Sequence, residues 1–149
     1  MTRQALLVTH IRRRGNTAHA RTVATDLLVA GFTVRVIEEE LPDLELAGVV
    51  PVRGPAAADG VEIVFALGGD GTFLRAAELA RPAKAPLLGI NLGKVGFLAE
   101  AEIEDVDRAV SDVVRRAYTV DERLTLDVTV EPDGQPAIRS WALNEVTVE

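Results

Sequence analysis

Most of the chain alternates between short apolar runs and segments in which apolar residues recur at helical spacing. The apolar runs predict four buried strands, at residues 5–9, 32–37, 63–67 and 87–90. The helical spacing predicts helices from an N-cap at Asn16-Thr17 to Gly31, over residues 72–80 and over residues 103–117. Strands that alternate with helices form parallel sheets. We therefore expect an α/β fold, with an open, mostly parallel sheet and helices on both faces.

Two stretches depart from this alternation. Residues 38–60 are rich in proline and glycine and predict a long surface loop, in which Glu38-Glu39-Glu40 is most simply a solvated turn. After residue 120, apolar and polar residues alternate strictly on the way to a turn at Pro132-Asp133-Gly134, and they alternate again over residues 142–148. Such alternation is typical of antiparallel strands that have one solvated face.

The change of pattern predicts two domains. Residues 1–120 form the α/β domain, and residues 121–149 form the first antiparallel strands of a truncated, β-rich second domain. The last predicted strand has no turn or cap before Glu149, which leaves a strand edge open. We therefore expect the chain to be a fragment of a longer protein, with a natural carboxyl-terminal edge strand as the alternative.

Composition narrows the class of protein. Of the 149 residues, 48% are hydrophobic, enough for a core, yet no apolar run approaches the length that spans a membrane. The chain has no cysteine and no secretory leader, so we expect a cytoplasmic protein with no membrane partner. The formal net charge of −7 argues against nucleic acid as the main partner. An anionic substrate would then be held by local amides and a few basic side chains.

The strongest candidate for chemistry is a glycine-rich loop between the third strand and the next helix, Gly68-Gly69-Asp70-Gly71-Thr72. Glycines let backbone amides approach an anion, and the helix behind them adds the positive end of its dipole. The carboxylate in the loop suggests a base for chemistry or a metal-linked contact. The alternative is a tight turn in which Asp70 only caps the helix. A dinucleotide fingerprint is excluded because it would need a glycine at Leu74.

Three segments together resemble the NAD kinase family, which phosphorylates NAD to NADP, and its actinobacterial type in particular. They are LGGDGTFLRAA at residues 67–77, GINLGKVGFL at residues 89–98 and ALNE at residues 142–145. The glycine-aspartate loop is shared with diacylglycerol-type lipid kinases and with phosphofructokinases, whereas the second segment is far more specific. The resemblance implies an enzyme that transfers a phosphoryl group to the 2′-hydroxyl of the adenosine ribose of NAD.

The resemblance also implies roles for the residues that match the motifs. Asp70 resembles the general base that takes the proton from the ribose hydroxyl. Gly71 resembles a backbone contact to the dinucleotide, and Asn144 and Glu145 resemble the pair that hydrogen-bonds the ribose hydroxyls of NAD.

Further matches concern the walls of the nucleotide site. Phe97 resembles the ring that lines the NAD pocket, and Leu74 a further apolar wall. Arg75 resembles a basic or polar position near the dinucleotide. Gly68 and Gly69 resemble phosphate-loop glycines that serve the phosphoryl donor.

The family also sets expectations for cofactors and partners. The donor would be ATP or polyphosphate, with Mg²⁺ as the divalent cation. Asp70 and Glu145 are the nearest candidates to couple to it, and the sequence has no His/Cys ligand cluster for a zinc. We expect the full-length protein to be a homo-oligomer that binds NAD and ATP. Two alternatives stay open: a lipid kinase of the diacylglycerol type, and a dinucleotide-binding module without catalysis.

Overall fold

The computed structural model describes residues 1–10, 14–92, 101–102, 105–143 and 145–147. The chain divides into two compact units, Met1–Tyr118 and Thr119–Glu149. Two of the predicted site residues, Phe97 and Asn144, lie outside the described residues.

A sheet of parallel strands forms the centre of the first unit. Its six described strands are β1 (Gln4–Thr9), β2 (Thr33–Ile37), β3 (Val50–Val52), β4 (Ile63–Gly68), β5 (Leu87–Asn91) and β6 (Ala101–Glu102). They lie in the order β3-β2-β1-β4-β5-β6, and every neighbouring pair is parallel. The chain therefore builds outward from β1 in one direction and from β4 in the other, so the order reverses between these two central strands.

Helices cover both faces of this sheet, as predicted. They are α1 (Arg14–Val29), α2 (Leu41–Leu44), α3 (Asp70–Ala83) and α4 (Val106–Val114). Successive side chains of a strand point to opposite faces. In β1, Ala5 and Leu7 accordingly belong to the cluster that contains α1 and α4, whereas Leu6 and Val8 belong to the cluster that contains α3. No helix in the described ranges is long and apolar enough to cross a membrane.

The sequence predicted the carboxyl-terminal end of α1 correctly and its amino-terminal end incorrectly. Gly31, with φ of +88°, ends the helix as predicted. Its N–H donates to Leu28 O at 3.0 Å, and the Phe32 N–H donates to Leu27 O at 2.9 Å, which is the pattern of a Schellman motif. The predicted N-cap is wrong, because the helix begins at Arg14 and already contains Asn16 and Thr17.

The prediction of a long surface loop over residues 38–60 is wrong. This stretch contains α2, the short strand β3, and 3₁₀ turns at Glu38–Glu40 and Pro55–Ala58. Leu44 and Ala58 are buried, so the segment contributes to the core. Pro51 suggested a loop, but it lies in β3 at the edge of the sheet, where a strand tolerates a residue without an N–H.

The second unit contains an antiparallel pair, β7 (Leu126–Val130) and β8 (Ile138–Ala142). The turn between them is at the predicted place, where the Gln135 N–H donates to Pro132 O at 3.2 Å. The predicted strand over residues 142–148 is wrong in position: residues 145–147 are not in a strand, and residues 148–149 are not described. Leu126 begins β7 and pairs with Ala142, the last residue of β8.

Candidate functional site

The glycine loop joins β4 to α3 more tightly than its sequence pattern predicted. Strand β4 ends at Gly68, Gly69 is the N-cap, and the helix already begins at Asp70 rather than at Thr72. The first hydrogen bond of the helix runs from the Phe73 N–H to Gly69 O at 3.0 Å. The alternative in which Asp70 is the capping residue is therefore wrong. Its carboxylate lies in the first helical turn, where the helix dipole favours a negative charge.

This loop lies at the point of the sheet where a ligand crevice is expected. Thr9, the last residue of β1, is in register with Leu67 of β4, one residue before Gly68. The connections that leave β1 and β4 run in opposite directions, because the strand order reverses there. In open parallel sheets, ligands bind at the carboxyl ends of the strands that flank such a reversal.

The three glycines of the loop are not equivalent. A Cβ added to Gly68 would lie 2.4 Å from Thr72 Oγ1 and 2.9 Å from Thr72 Cβ, so this glycine allows β4 and the first turn of α3 to pack closely. Within the part of the chain that the structure describes, a Cβ added to Gly69 or Gly71 would meet nothing within 4 Å. Open backbone that a ligand can approach is thus available at Gly69 and Gly71, whereas Gly68 is enclosed by Thr72.

An ion pair between a buried carboxylate and a half-exposed guanidinium stands beside the loop. Arg75 Nη1 donates to Glu40 Oε1 at 2.6 Å. The other oxygen of Glu40, Oε2, accepts from the Thr9 backbone N–H at 2.9 Å and from Thr9 Oγ1 at 3.1 Å. The Glu40 side chain is 0% exposed, so the prediction of a solvated turn is wrong for this residue. Because Thr9 ends β1, Glu40 follows β2 and Arg75 lies in α3, this contact joins three elements at the carboxyl edge of the sheet.

Burial sets the electrostatics of Glu40. It raises the pKa of this carboxyl above the ordinary glutamate value, and the hydrogen bonds from Thr9 and the charge of Arg75 oppose that rise. Within the part of the chain that the structure describes, no buried side-chain polar atom lacks a hydrogen-bond partner. Both oxygens of the carboxylate thus accept hydrogen bonds, at a place where burial disfavours the charged form.

Arg75 is anchored to Glu40, but the rest of its side chain faces outward and is 45% exposed. Leu74, its neighbour, is 42% exposed, and Gly71 is also exposed. Residues 74 and 75 each lie about one helical turn after residue 71, and the three share one face of α3. The first two turns of α3 thus present Asp70, an open glycine, an apolar side chain and a cation on one exposed end.

A second charged cluster lies at the opposite, amino edge of the sheet, away from the candidate site. Arg3 Nε donates to Glu62 Oε2 at 2.8 Å, and Arg3 Nη1 donates to Val114 O at 2.6 Å, at the end of α4. The Arg3 guanidinium also lies 4.3 Å from the centre of the Phe32 ring. The hydrogen bond from Arg3 lowers the pKa of Glu62. This cluster holds α4 to the starts of β1 and β4 and is structural.

Comparison with known proteins identifies the family. Residues 49–118 match the family model for the ATP-NAD kinase N-terminal domain. The chain is 50% identical to the NAD kinase of Thermobifida fusca and 49% identical to NAD kinase 2 of Streptomyces coelicolor, in each case over 99% of its length. The chain belongs to the NAD kinase family. Both relatives are actinobacterial, which confirms the type that the motifs resembled.

The chain spans about half the length of these NAD kinases, 48% of the first and 50% of the second. The fold is also that of a solved structure, yeast NADH kinase in complex with NADH. The TM-score to it is 0.80 at 16% identity, over 96% of this chain and 47% of the other. The predicted α/β fold with an antiparallel pair after it is confirmed.

The structure brings the described motif residues of the loop together at one end of α3: Gly68, Gly69, Asp70, Gly71, Leu74 and Arg75. Glu145 lies in the second unit and is exposed. Sequence reasoning missed Thr9 and Glu40. A signal for Glu40 was present, because the apolar Leu41 and Leu44 directly after it indicate a segment that turns back toward the core.

Proposed function

We propose that the full-length protein that carries this chain is an NAD kinase. It transfers a phosphoryl group from ATP or polyphosphate to the 2′-hydroxyl of the adenosine ribose of NAD, which gives NADP. The observation that carries the proposal is the position of Asp70. In a chain of this family, its carboxylate stands in the first turn of a helix, at the strand reversal of a parallel sheet, between two glycines with open surroundings.

Asp70 acts as the general base. Its carboxylate accepts the proton of the 2′-hydroxyl while the ribose oxygen forms a bond to the terminal phosphorus of the donor. The bond from that phosphorus to the bridging oxygen breaks, and the shortened polyphosphate leaves. Phosphoryl transfer is catalysed mainly by positioning and by stabilisation of charge, so a carboxylate within reach of the hydroxyl and donors beside the phosphates suffice.

The remaining motif residues take the nucleotide-binding roles. Gly69 and Gly71 offer backbone that a phosphate or sugar can approach, because a Cβ at either position would meet none of the described residues within 4 Å. Leu74 supplies an apolar wall, and Arg75 a cation near the phosphates.

To three residues outside the loop we assign the roles that the family resemblance implies. Phe97 lines the pocket, while Asn144 and Glu145 hydrogen-bond the ribose hydroxyls, the amide as donor and acceptor and the carboxylate as acceptor. Gly68 contributes to the site by letting α3 start close to β4. We further propose a cytoplasmic homo-oligomer for the full-length protein.

The described residues fit a Mg²⁺ ion that binds together with the phosphates of the phosphoryl donor. No three His, Cys, Asp or Glu side chains among them come together as a metal cage. Mg²⁺ is commonly held by one or two carboxylates together with substrate phosphates, and Asp70 is the carboxylate of the loop at this edge. When bound, Mg²⁺ would neutralise charge on the donor phosphates.

The test is NADP formation by the full-length protein from NAD, with ATP or polyphosphate and Mg²⁺. Asp70→Asn should lower kcat about 10²- to 10⁴-fold, the usual contribution of a positioned base. Asp107→Asn is the matched control, because Asp107 also lies in a first helical turn, that of α4, and should leave kcat unchanged.

Other outcomes would refute the proposal. If Asp70→Asn leaves kcat unchanged, Asp70 is not the general base. NAD binding without any NADP would indicate a binding module, and phosphorylation of diacylglycerol in place of NAD would indicate a lipid kinase.

A further inference from the structure

Glu40 stands outside every motif of the family resemblance. It is nevertheless a fully buried carboxylate beside the candidate site. Its side chain is fully buried, and both of its oxygens accept hydrogen bonds, one from Arg75 and the other from Thr9. The two partners lie 35 and 31 residues away in the sequence. Glu40 thus ties the end of β1 to the helix that begins at Asp70, across the strand reversal.

The contact is unsuited to a purely stabilising role. Taking a carboxylate out of water is expensive, and a half-exposed partner such as Arg75 offsets that cost only in part. The raised pKa of Glu40 agrees with this, since it indicates that burial outweighs the favourable contacts. A charge that is retained at such a position calls for a role other than stability.

The geometry of Arg75 supplies that role. Its guanidinium is planar and presents five N–H donors in a fixed fork, and among the described residues its one ion pair is with Glu40. Anchoring one nitrogen fixes the orientation of the remaining donors, and nearly half of the side chain is exposed. Arg75 follows Asp70 by five residues, so its backbone lies about 7–8 Å further along the helix axis. That distance suits a contact to a phosphate beside a sugar held at Asp70.

We propose that Glu40 is a positioning residue, which holds the Arg75 guanidinium at the carboxyl edge of the sheet so that it binds a phosphate of the bound nucleotide. This inference rests on the proposed function. The phosphate belongs to the dinucleotide or to the donor, and both present the same chemistry to Arg75.

Glu40→Gln tests this role selectively. The amide oxygen still accepts the buried Thr9 N–H, whereas the amide NH₂ then faces another donor, Arg75, which is free to swing into water. The matched control is Glu38→Gln in the same 3₁₀ turn, where Glu38 forms an exposed ion pair with Arg53. Exposed pairs of this kind contribute little.

The experiment measures KM for NAD and for ATP separately in the full-length protein, together with Kd for each by calorimetry and the thermal unfolding midpoint. Glu40→Gln should raise KM and Kd for one nucleotide about tenfold, as expected when a hydrogen bond to a charged group is lost. A rise for NAD assigns the phosphate to the dinucleotide, and a rise for ATP assigns it to the donor. The unfolding midpoint of Glu40→Gln should lie at or below that of Glu38→Gln, because the buried amide NH₂ lacks an acceptor.

A double-mutant cycle distinguishes positioning of Arg75 by Glu40 from a purely structural role of Glu40. In an Arg75→Met background, Glu40→Gln should change KM and Kd by less than about twofold, because the group it positions is absent. Additive losses, or nucleotide affinities of Glu40→Gln equal to those of Glu38→Gln, would overturn the inference. A wild-type protein that makes no NADP would refute the proposed function, and the Kd values would still decide the role of Glu40.

Discussion

Replacing Gly68 by alanine tests the division of the loop into one enclosed glycine and two open ones. The new Cβ would lie 2.4 Å from Thr72 Oγ1, 2.9 Å from its Cβ and 3.3 Å from its Cγ2. Rotation about χ1 of Thr72 moves Oγ1 and Cγ2 but leaves the Cβ contact at 2.9 Å. Since Thr72 is buried at the start of α3, the backbone of β4 or α3 must shift.

Overpacking of this kind costs about 1–3 kcal/mol. That cost corresponds to roughly fivefold to hundredfold faster amide hydrogen exchange in β4 and α3, measured by mass spectrometry on the full-length protein under conditions where exchange reports the opening equilibrium. Gly71→Ala is the matched control. Its Cβ meets nothing within 4 Å, and alanine within a helix gains about 0.5–1 kcal/mol over glycine, so exchange in α3 should slow.

A second substitution sharpens the test. Thr72→Ala removes Oγ1 and Cγ2 but keeps the Cβ, so in a Gly68→Ala background it should restore part of the lost protection. The steric argument is refuted if Gly68→Ala and Gly71→Ala give the same exchange in α3, or if Thr72→Ala adds its own full loss to that of Gly68→Ala.

Two further predictions concern stability. Because Arg3 lowers the pKa of Glu62 below the ordinary 4.5, this ion pair stabilises the fold above that pH, and the stabilisation is lost as pH falls through the lower folded pKa. Urea midpoints should therefore decline on the acid side in wild type and less steeply in Glu62→Gln; parallel curves would contradict this. Phe65→Ala, at a fully buried position of β4, should cost about 3–5 kcal/mol in urea unfolding, and a cost below about 1 kcal/mol would contradict the core assignment.

The central part of the sheet could be predicted from the sequence because its strands are buried on both faces. β1 and β4 are continuous apolar runs, and such runs are typical of parallel strands covered by helices on both sides. β3 could not be predicted in this way. It has three residues, is half exposed and contains a proline, since an edge strand needs neither a full apolar run nor every N–H.

In the candidate site, too, local features could be predicted from the sequence and contacts between distant residues could not. The loop around Asp70 is local, so the order of strand, glycines and helix could be read along the chain. Glu40 is buried by partners that are distant in sequence, and three consecutive glutamates look alike until the fold brings Thr9 and Arg75 to the third of them. Hydrophobic periodicity indicates which face of a helix or strand is buried. It carries no information about which charged side chains of different elements form ion pairs.

The glycines show how this limit affects the interpretation of mutants. In the sequence, Gly68, Gly69 and Gly71 form one phosphate-loop pattern, and a loss of activity at any of them would be assigned to phosphate binding. In the structure, a side chain at Gly68 forces β4 or the first turn of α3, which carries Asp70, to shift, so lost activity in Gly68→Ala reports packing. Among the described residues, a methyl group at Gly71 meets no atom within 4 Å. Lost activity in a Gly71→Ala protein of unchanged or greater stability would therefore identify a ligand that occupies the open space beside this residue.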